Sequence, residues 1–241
     1  MSSKTLSVTK RASDDRGRGE FGWLSARYSF SFGEYRDPAH MGYRSLRVIN
    51  QDIVEPGMGF GTHPHENMEI ITYVIEGELA HKDSMGNGRT IGAGQLQYMS
   101  AADGVEHSEF NPSEDKRTHL LQIWIRPSER GGEPRYADLD TRSMVKDDTL
   151  TVFASGDGRD GSVEIRQDAE VCFARTTAGR TLTVPSDDRF GHHWVQVIRG
   201  AVRIGGESFG AGDGAAIEGS GAGGFEIATD DDAEMLVFRL N

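Results

Sequence analysis

Two short motifs each occur twice in this chain, in the same order, and that repetition restricts the fold more than any other feature. VIEGELAH (74–81) matches VIRGAVRI (197–204), and IGAGQLQYM (91–99) matches FGAGDGAAI (209–217). The offset is 123 residues from Gly77 to Gly200 and 118 from Gly92 to Gly210, so a shorter hairpin loop separates the copies. Two matches in order point to a duplicated unit. The motifs belong to a series of runs that read as strands: LRVIN (46–50), MEIITYVIEGELAH (68–81), LQYM (96–99), HLLQIWIR (119–126), TLTVP (181–185), WVQVIRGAVRIGG (194–206), GAAIEG (214–219) and EMLVFRL (234–240). Each is β-branched or aromatic in character and bounded by Gly, Asp or Asn. Helical periodicity is scarce, and the 31 glycines among 241 residues are spread between the runs, where turns need them. The expectation is an all-β chain of two small barrels in tandem. The polar, turn-rich stretch SERGGEPRYADLDTRSMVKDD (128–148) puts the division near Gly132, giving units 1–132 and 133–241.

Charge and cysteine content remove several function classes. Lys and Arg total 26 against 38 Asp and Glu, a net charge of -12, and both halves are acidic. A direct nucleic-acid ligand needs a basic stripe that this balance does not supply. No apolar run approaches the roughly 18 residues of a membrane span, and the N-terminus MSSKTLSVTKRASDDRGRGE has no apolar stretch like a signal peptide, so a cytoplasmic protein is expected. The single cysteine, Cys172, excludes an intramolecular disulfide and any multi-thiolate metal site; in EVCFARTT it reads as a small buried residue.

The chemistry-bearing residues are histidines. In GTHPHENMEI, His63 and His65 stand two apart, so an extended strand puts both rings on one face; in GVEHSEF, His107 and Glu109 repeat the spacing. If both segments are strands of one barrel, three imidazoles and a carboxylate can converge on one ion. Pro64 lacks a backbone donor and marks a strand start or edge. Carried across by the repeat offsets, these four positions fall on Ser186, Asp188, Phe225 and Ile227, which form no metal site. His192 and His193 point to opposite faces of a strand and read as surface or packing residues. Glu69, four residues after His65, reads as a structural or outer-sphere carboxylate, and His119 as a half-buried histidine whose role is open.

Duplicated barrels with H-x-H and H-x-E, together with SFSFGEYRDPAHMGYRSLRVINQDIVEPGMGFGTHPHENMEIITYVIEGELAHKDSMGNG and GQLQYMSAADGVEHSEF, resemble the pirin family of the cupin superfamily. The resemblance covers most of the first 140 residues; beyond them only the rhythm of strands and glycines is similar. It implies a bicupin whose N-terminal barrel binds metal through His63, His65, His107 and Glu109 and whose C-terminal barrel is degenerate. Glu109 then takes the place that the carboxylate after H-x-H, here Glu69, has in many cupins.

Nitrogen and oxygen donors without thiolate suit one divalent transition metal, Fe(II), Mn, Ni, Co, Cu or Zn alike; Fe(II) is the expectation. Four protein ligands leave about two open positions on an octahedral ion, where an enolate or catecholate oxygen can bind. Bacterial pirins resemble quercetin 2,3-dioxygenases, so the implied reaction is O2-dependent opening of a flavonol's central ring with release of carbon monoxide. Glu109 is then both ligand and proton acceptor, and Phe60, Met68 and Met99 are candidate wall residues. The alternative class is a non-enzymatic, metal- or redox-switched regulator that binds a protein partner, as other pirins resemble. A third, a cupin isomerase acting on sugars or keto acids, needs a proton relay that the sequence does not display. The segment KDSMGNGRT (82–90) reads as a plain hairpin loop.

Overall fold

The computed structural model describes residues 6–219, 221 and 223–241; Met1–Thr5, the start of the polar N-terminal segment, lie outside the described residues. The chain is all-β, and the duplication in its sequence is a duplication of architecture. The first unit pairs a seven-stranded sheet with a four-stranded one. The larger runs in the spatial order Arg135–Asp140, Gln95–Ser100, Glu69–Glu76, Thr118–Ile125, Leu46–Val54, Leu24–Tyr28, Gly17–Glu20, and the smaller in the order Gly59–His65, Val105–Phe110, Glu78–Asp83, Gly88–Gly92. The second unit repeats the plan with Ser7–Arg11, Gly214–Glu218, His192–Arg199, Ala233–Leu240, Ala169–Thr176, Thr149–Ser155, Val163–Glu164 and, in its smaller sheet, Thr181–Val184, Phe225–Thr229, Ala201–Ile204, Glu207–Gly210. The strand Ser7–Arg11 pairs with Gly214–Glu218, so the start of the chain completes the sheet of the second unit. No helix among the described residues is long and apolar enough to cross a membrane.

The repeated glycines have a steric reason. Gly77 and Gly200 sit at φ of 79° and 72°, at the same corner of each barrel. A Cβ at Gly77 would stand 2.5 Å from the Arg117 carbonyl oxygen, and one at Gly200 would stand 2.2 Å from that of Asp232. Only glycine accepts both the left-handed backbone and the close approach. Between the barrels, the outer faces of the two larger sheets share one core, in which Ile49, Ile71, Tyr73, Leu121 and Ile123 of the first meet Phe153, Phe173, Trp194, Leu236 and Phe238 of the second.

The two barrel interiors differ in chemistry although they share a register. In the second, Cys172 faces Val237, which faces Val195, which faces Ala215. All four are buried in one apolar cluster. Burial pushes the Cys172 thiol up to about 12, so it stays protonated. The matching rung of the first barrel is Asn50, Gln122, Thr72 and Gln97, paired in the same sequence, and all four are polar and buried. Apolar side chains fill such a rung at lower free-energy cost, so the polar one marks the barrel whose interior serves another purpose.

A candidate metal centre and its cavity

The histidine-bearing strand Gly59–His65 is an edge strand, hydrogen-bonded within its sheet only to Val105–Phe110, which is where Pro64 does no damage to a ladder. The pairing sets His107 directly opposite His63 and Val105 opposite His65. A bulge between His107 and Glu109 then shifts the register, so that Glu109 lies opposite Phe60. The three imidazoles converge: ring centroids are 4.7 Å apart for His63 and His65, 4.5 Å for His63 and His107, and 4.8 Å for His65 and His107. One nitrogen from each lies within 4.8 Å of the others.

Hydrogen bonding shows which nitrogens face inward. His63 donates its Nδ1–H to the Gly61 carbonyl oxygen at 2.7 Å, leaving Nε2 as a lone pair, and that atom lies 3.1 Å from His107 Nε2. His65 Nε2 is buried with no hydrogen-bond partner. Burial, reinforced by the neighbouring imidazoles, lowers the pKa of His65 to about 4 and that of His107 to about 3, so both rings are neutral at pH 7. Neutral imidazoles with converging lone pairs, one of them orphaned in the interior, are what a transition-metal ion satisfies, and the donor set fits one.

Behind His107 lies His81, a histidine to which the sequence assigned no role. His81 donates from Nε2 to Asp83 Oδ2 at 3.0 Å, and its Nδ1 accepts from Gln97 Nε2 at 2.9 Å. The same Nδ1 lies 3.4 Å from His107 Nδ1, an arrangement that favours a proton on that atom of His107 and a free lone pair on its Nε2. Asp83 is fixed by the Met85 and Asn87 backbone N–H groups and by the Asn87 side chain. Burial pushes its carboxyl up, but hydrogen bonds from His81 and Asn87 outweigh that and hold it below the ordinary range. The signal was present as H-x-D (81–83), a further alternate-residue dyad facing the same interior.

Glu109 is buried on the same strand as His107, but its carboxylate groups with His107 and His81 and not with His63 and His65. Thr72 Oγ1 donates to its Oε1 at 3.3 Å and Gln122 Nε2 to its Oε2 at 2.8 Å. These two bonds orient it, and Gln122 is oriented in turn by Trp124 Nε1, which donates to its Oε1 at 3.3 Å. His63, His65 and Glu109 all line one cavity of about 620 Å³. Its walls include Trp23, Tyr28, Phe32, Phe60 and Trp124. That volume is within the range of small-molecule sites, about 300–1,000 Å³. A second cavity of about 620 Å³ is ringed by arginines, but Arg166 is bonded to the Gly131 and Glu133 carbonyls, Arg135 to Glu164 and Arg189 to Asp168.

Other sequence candidates take different places. Phe60 is in the wall, whereas Met99 and Met68 pack with Ile70, Ala101, Val105 and Trp124 and do not line the cavity. Glu69 does not continue the histidine strand, because Asn67, at φ 50°, turns the chain between them. It accepts hydrogen bonds from Tyr98 Oη, Ser100 Oγ and, across to the second barrel, the Arg166 backbone N–H. His119 Nε2 accepts a hydrogen bond from Gln51 Nε2 at 2.9 Å on the face between the barrels, away from the cavity. The segment 82–90 is the tip and flanks of a hairpin between Glu78–Asp83 and Gly88–Gly92. His193 is fully buried, edge-on to Phe225, and His192 lies at the surface beside Arg44.

The fold and the convergent imidazoles define a double-barrel metal-binding protein of cupin type, and comparison with known proteins narrows it. Residues 10–125 match the family described as Pirin, and residues 152–240 match the Quercetinase C-terminal cupin domain. Quercetin 2,3-dioxygenase of Escherichia coli K12 is 43% identical over 231 residues, covering 95% of this chain and 97% of that protein. A pirin-like protein of Caulobacter vibrioides is 38% identical, with 95% and 98% covered. The crystal structure of bacterial pirin YhhW from E. coli in complex with nickel(II) superposes with a TM-score of 0.90 at 40% identity, covering 97% of this chain and 99% of that one. The chain belongs to the pirin family.

Proposed function

We propose that this protein is a metal-dependent dioxygenase of the quercetin 2,3-dioxygenase type, which opens the central ring of a flavonol with O2 and releases the carbon between the two oxygenated positions as carbon monoxide. The observation that carries this reading is the junction of the imidazole cluster with the aromatic-walled cavity of about 620 Å³. The reading is supported by relatives that carry that name along nearly their whole length. In it the first barrel, the unit 1–132 without its opening strand Ser7–Arg11 and with Arg135–Asp140 added, holds the ion through His63, His65, His107 and Glu109, and the second barrel holds none. The ion is a divalent transition metal; Fe(II) is our choice among those the donor set accommodates, and nickel(II) is the ion in the related crystal structure.

When bound, the metal held by these residues would supply the Lewis-acid charge that stabilises the flavonol's 3-oxygen as an anion. This chain's own residues do the rest. Trp23, Tyr28, Phe32, Phe60 and Trp124 offer flat apolar surface to the flavonol and displace water from it. Glu109, held as an acceptor by Thr72 and Gln122, takes the proton of the 3-hydroxyl, and Gln122 keeps the carboxylate aimed while it carries that proton. Both oxygen atoms of O2 end in the ring-opened ester acid, so no external reductant is needed. The test is to load Fe(II) anaerobically, admit air with quercetin, and follow flavonol absorbance and carbon monoxide together, with Glu109→Ala as the control. Carbon monoxide formed in step with flavonol loss, and absent in the variant, is the expected result. Stoichiometric metal binding without turnover for iron, nickel, manganese, cobalt and copper alike would overturn it and favour the metal-switched binding protein.

A further inference from the structure

The cavity contains two polar groups that the chemistry above does not use. Asn50 and Asp52 lie on the inward face of the strand Leu46–Val54, are 2% and 4% exposed, and line the same cavity as His63, His65 and Glu109. The Oδ1 atom of each is buried without a hydrogen-bond partner, and among the described residues neither side chain makes a hydrogen bond. Burying polar groups in this state costs free energy. The fold does not require it, since the register-equivalent positions of the second barrel hold Cys172 and Ala174, facing Val237 and Met235 as Asn50 and Asp52 face Gln122 and Leu120. A cost that the duplicate avoids points to a ligand that removes it.

We propose that Asn50 and Asp52 form a second recognition point in the cavity, one that takes a phenolic hydroxyl of a neutral, flat, polyhydroxylated aromatic molecule. The inference rests on the reading of the cavity as a flavonol site and specifies which flavonols it prefers. Apart from the metal, Arg18 is the one cationic side chain in the described lining, and it stands against Glu34 and Glu109, so the cavity offers little to a second anionic group such as that of a sugar phosphate. A hydroxyl both donates and accepts, so it satisfies an amide and a carboxyl in either protonation state. The aromatic walls account for the flat ring that carries it.

The test is binding, not turnover. Metal-loaded protein under nitrogen is titrated with quercetin and with 3-hydroxyflavone, whose sole hydroxyl is the one beside the metal, using fluorescence of Trp23 and Trp124 in the cavity wall. Wild type is expected to prefer quercetin at least about ten-fold, and Asp52→Ala and Asn50→Val are each expected to reduce that ratio several-fold. Asp52→Asn, which keeps the shape and the hydrogen-bonding atoms, retains most of the preference and remains testable if the alanine variant melts early. A ratio unchanged within two-fold in folded variants, or no preference in wild type, overturns the proposal. If quercetin binds with the expected selectivity and no carbon monoxide forms in air, the dioxygenase reading fails and the recognition point stands. If carbon monoxide forms and the ratio does not move, the reverse holds.

Discussion

Replacing Asp52 with asparagine should stabilise the metal-free protein, by an amount that depends on pH in a defined direction. Burial, then repulsion from Glu109, raise this carboxyl from 3.8 to about 7, with Arg16 opposing. At about 1.4 kcal/mol per pH unit, that displacement corresponds to roughly 4 kcal/mol. The sign follows from proton binding. Well below pH 3.8 the carboxyl is protonated in both states and contributes nothing; as pH rises from there toward 7 the unfolded chain ionises while the folded one retains its proton. Stability is therefore lost as pH rises through this window, and above it the full penalty applies. Asparagine does not titrate, so the difference between variant and wild type should widen from pH 4.5 to pH 8 by about 3–4 kcal/mol. His65 and His107 also affect stability, in the opposite sense. Lowered from 6.5 to about 4 and about 3, they favour protonation of the unfolded chain, so both proteins weaken as pH falls below 6.5. Their effect is common to both proteins and cancels in the difference. Urea unfolding followed by tryptophan fluorescence at the two pH values measures it, as a midpoint shift of about 1 M or more for a slope near 3 kcal/mol/M. A gap that stays constant within about 0.5 kcal/mol would show that Asp52 ionises as freely in the barrel as in the open chain, and the argument from its burial would be wrong.

Three further outcomes separate the roles assigned above. His63→Ala should lower metal affinity by more than about 100-fold, read by metal analysis after dialysis, while circular dichroism keeps its β signal, because the second barrel has its own apolar interior. Loss of the whole fold would make the ion structural. His81→Phe should weaken metal binding about 10–100-fold without removing a ligand, since His107 loses the partner of its Nδ1; unchanged affinity would show that His107 keeps its tautomer unaided. Glu69→Leu should destabilise the protein by about 3–5 kcal/mol in chemical denaturation, by leaving the Tyr98, Ser100 and Arg166 donors unpaired, with metal stoichiometry unchanged. Loss of metal in a folded Glu69→Leu would identify it as a ligand after all.

The architecture was legible because it is written in local chemistry. Strand runs of β-branched residues and glycines at repeated offsets are properties of short segments, and Gly77 and Gly200 both proved to be corners that no other residue can turn. The histidines were legible for the same reason, since His63 and His65 need only an extended backbone to share a face. What did not show was anything set by register between distant strands. The wall residues Trp23, Tyr28 and Phe32 come from the segment before the first recognised strand, and only the packed sheets bring them over the imidazoles. Met68 and Met99 are apolar and near the histidines in sequence, yet they pack against Ile70, Ala101, Val105 and Trp124 and do not line the cavity. The bulge at Glu109 and the turn at Asn67 decide which carboxylate faces inward, and neither is encoded by composition.

The duplication itself held a signal stronger than the motif it was used to find. Applied to single residues, the offset of 123 carries Thr72 onto Val195 and the offset of 118 carries Gln97 onto Ala215. Each pair occupies one rung of its barrel, polar in the first copy and apolar in the second. A metal ligand lost from one copy says only that one copy binds no metal. A whole rung that changes from alanine, valine and cysteine to glutamine, threonine and asparagine says more, because each polar group must be satisfied from within. In the first barrel, Gln97 serves His81 through its amide nitrogen, although its Oε1 has no partner, and Thr72 and Gln122 serve Glu109, so all three side chains hold an imidazole or a carboxylate in place. Asn50, and Asp52 two residues along the same strand, have no such partner. The rung therefore divides into a part that shapes the candidate metal site and a part left open, and the open part adjoins the aromatic-walled cavity.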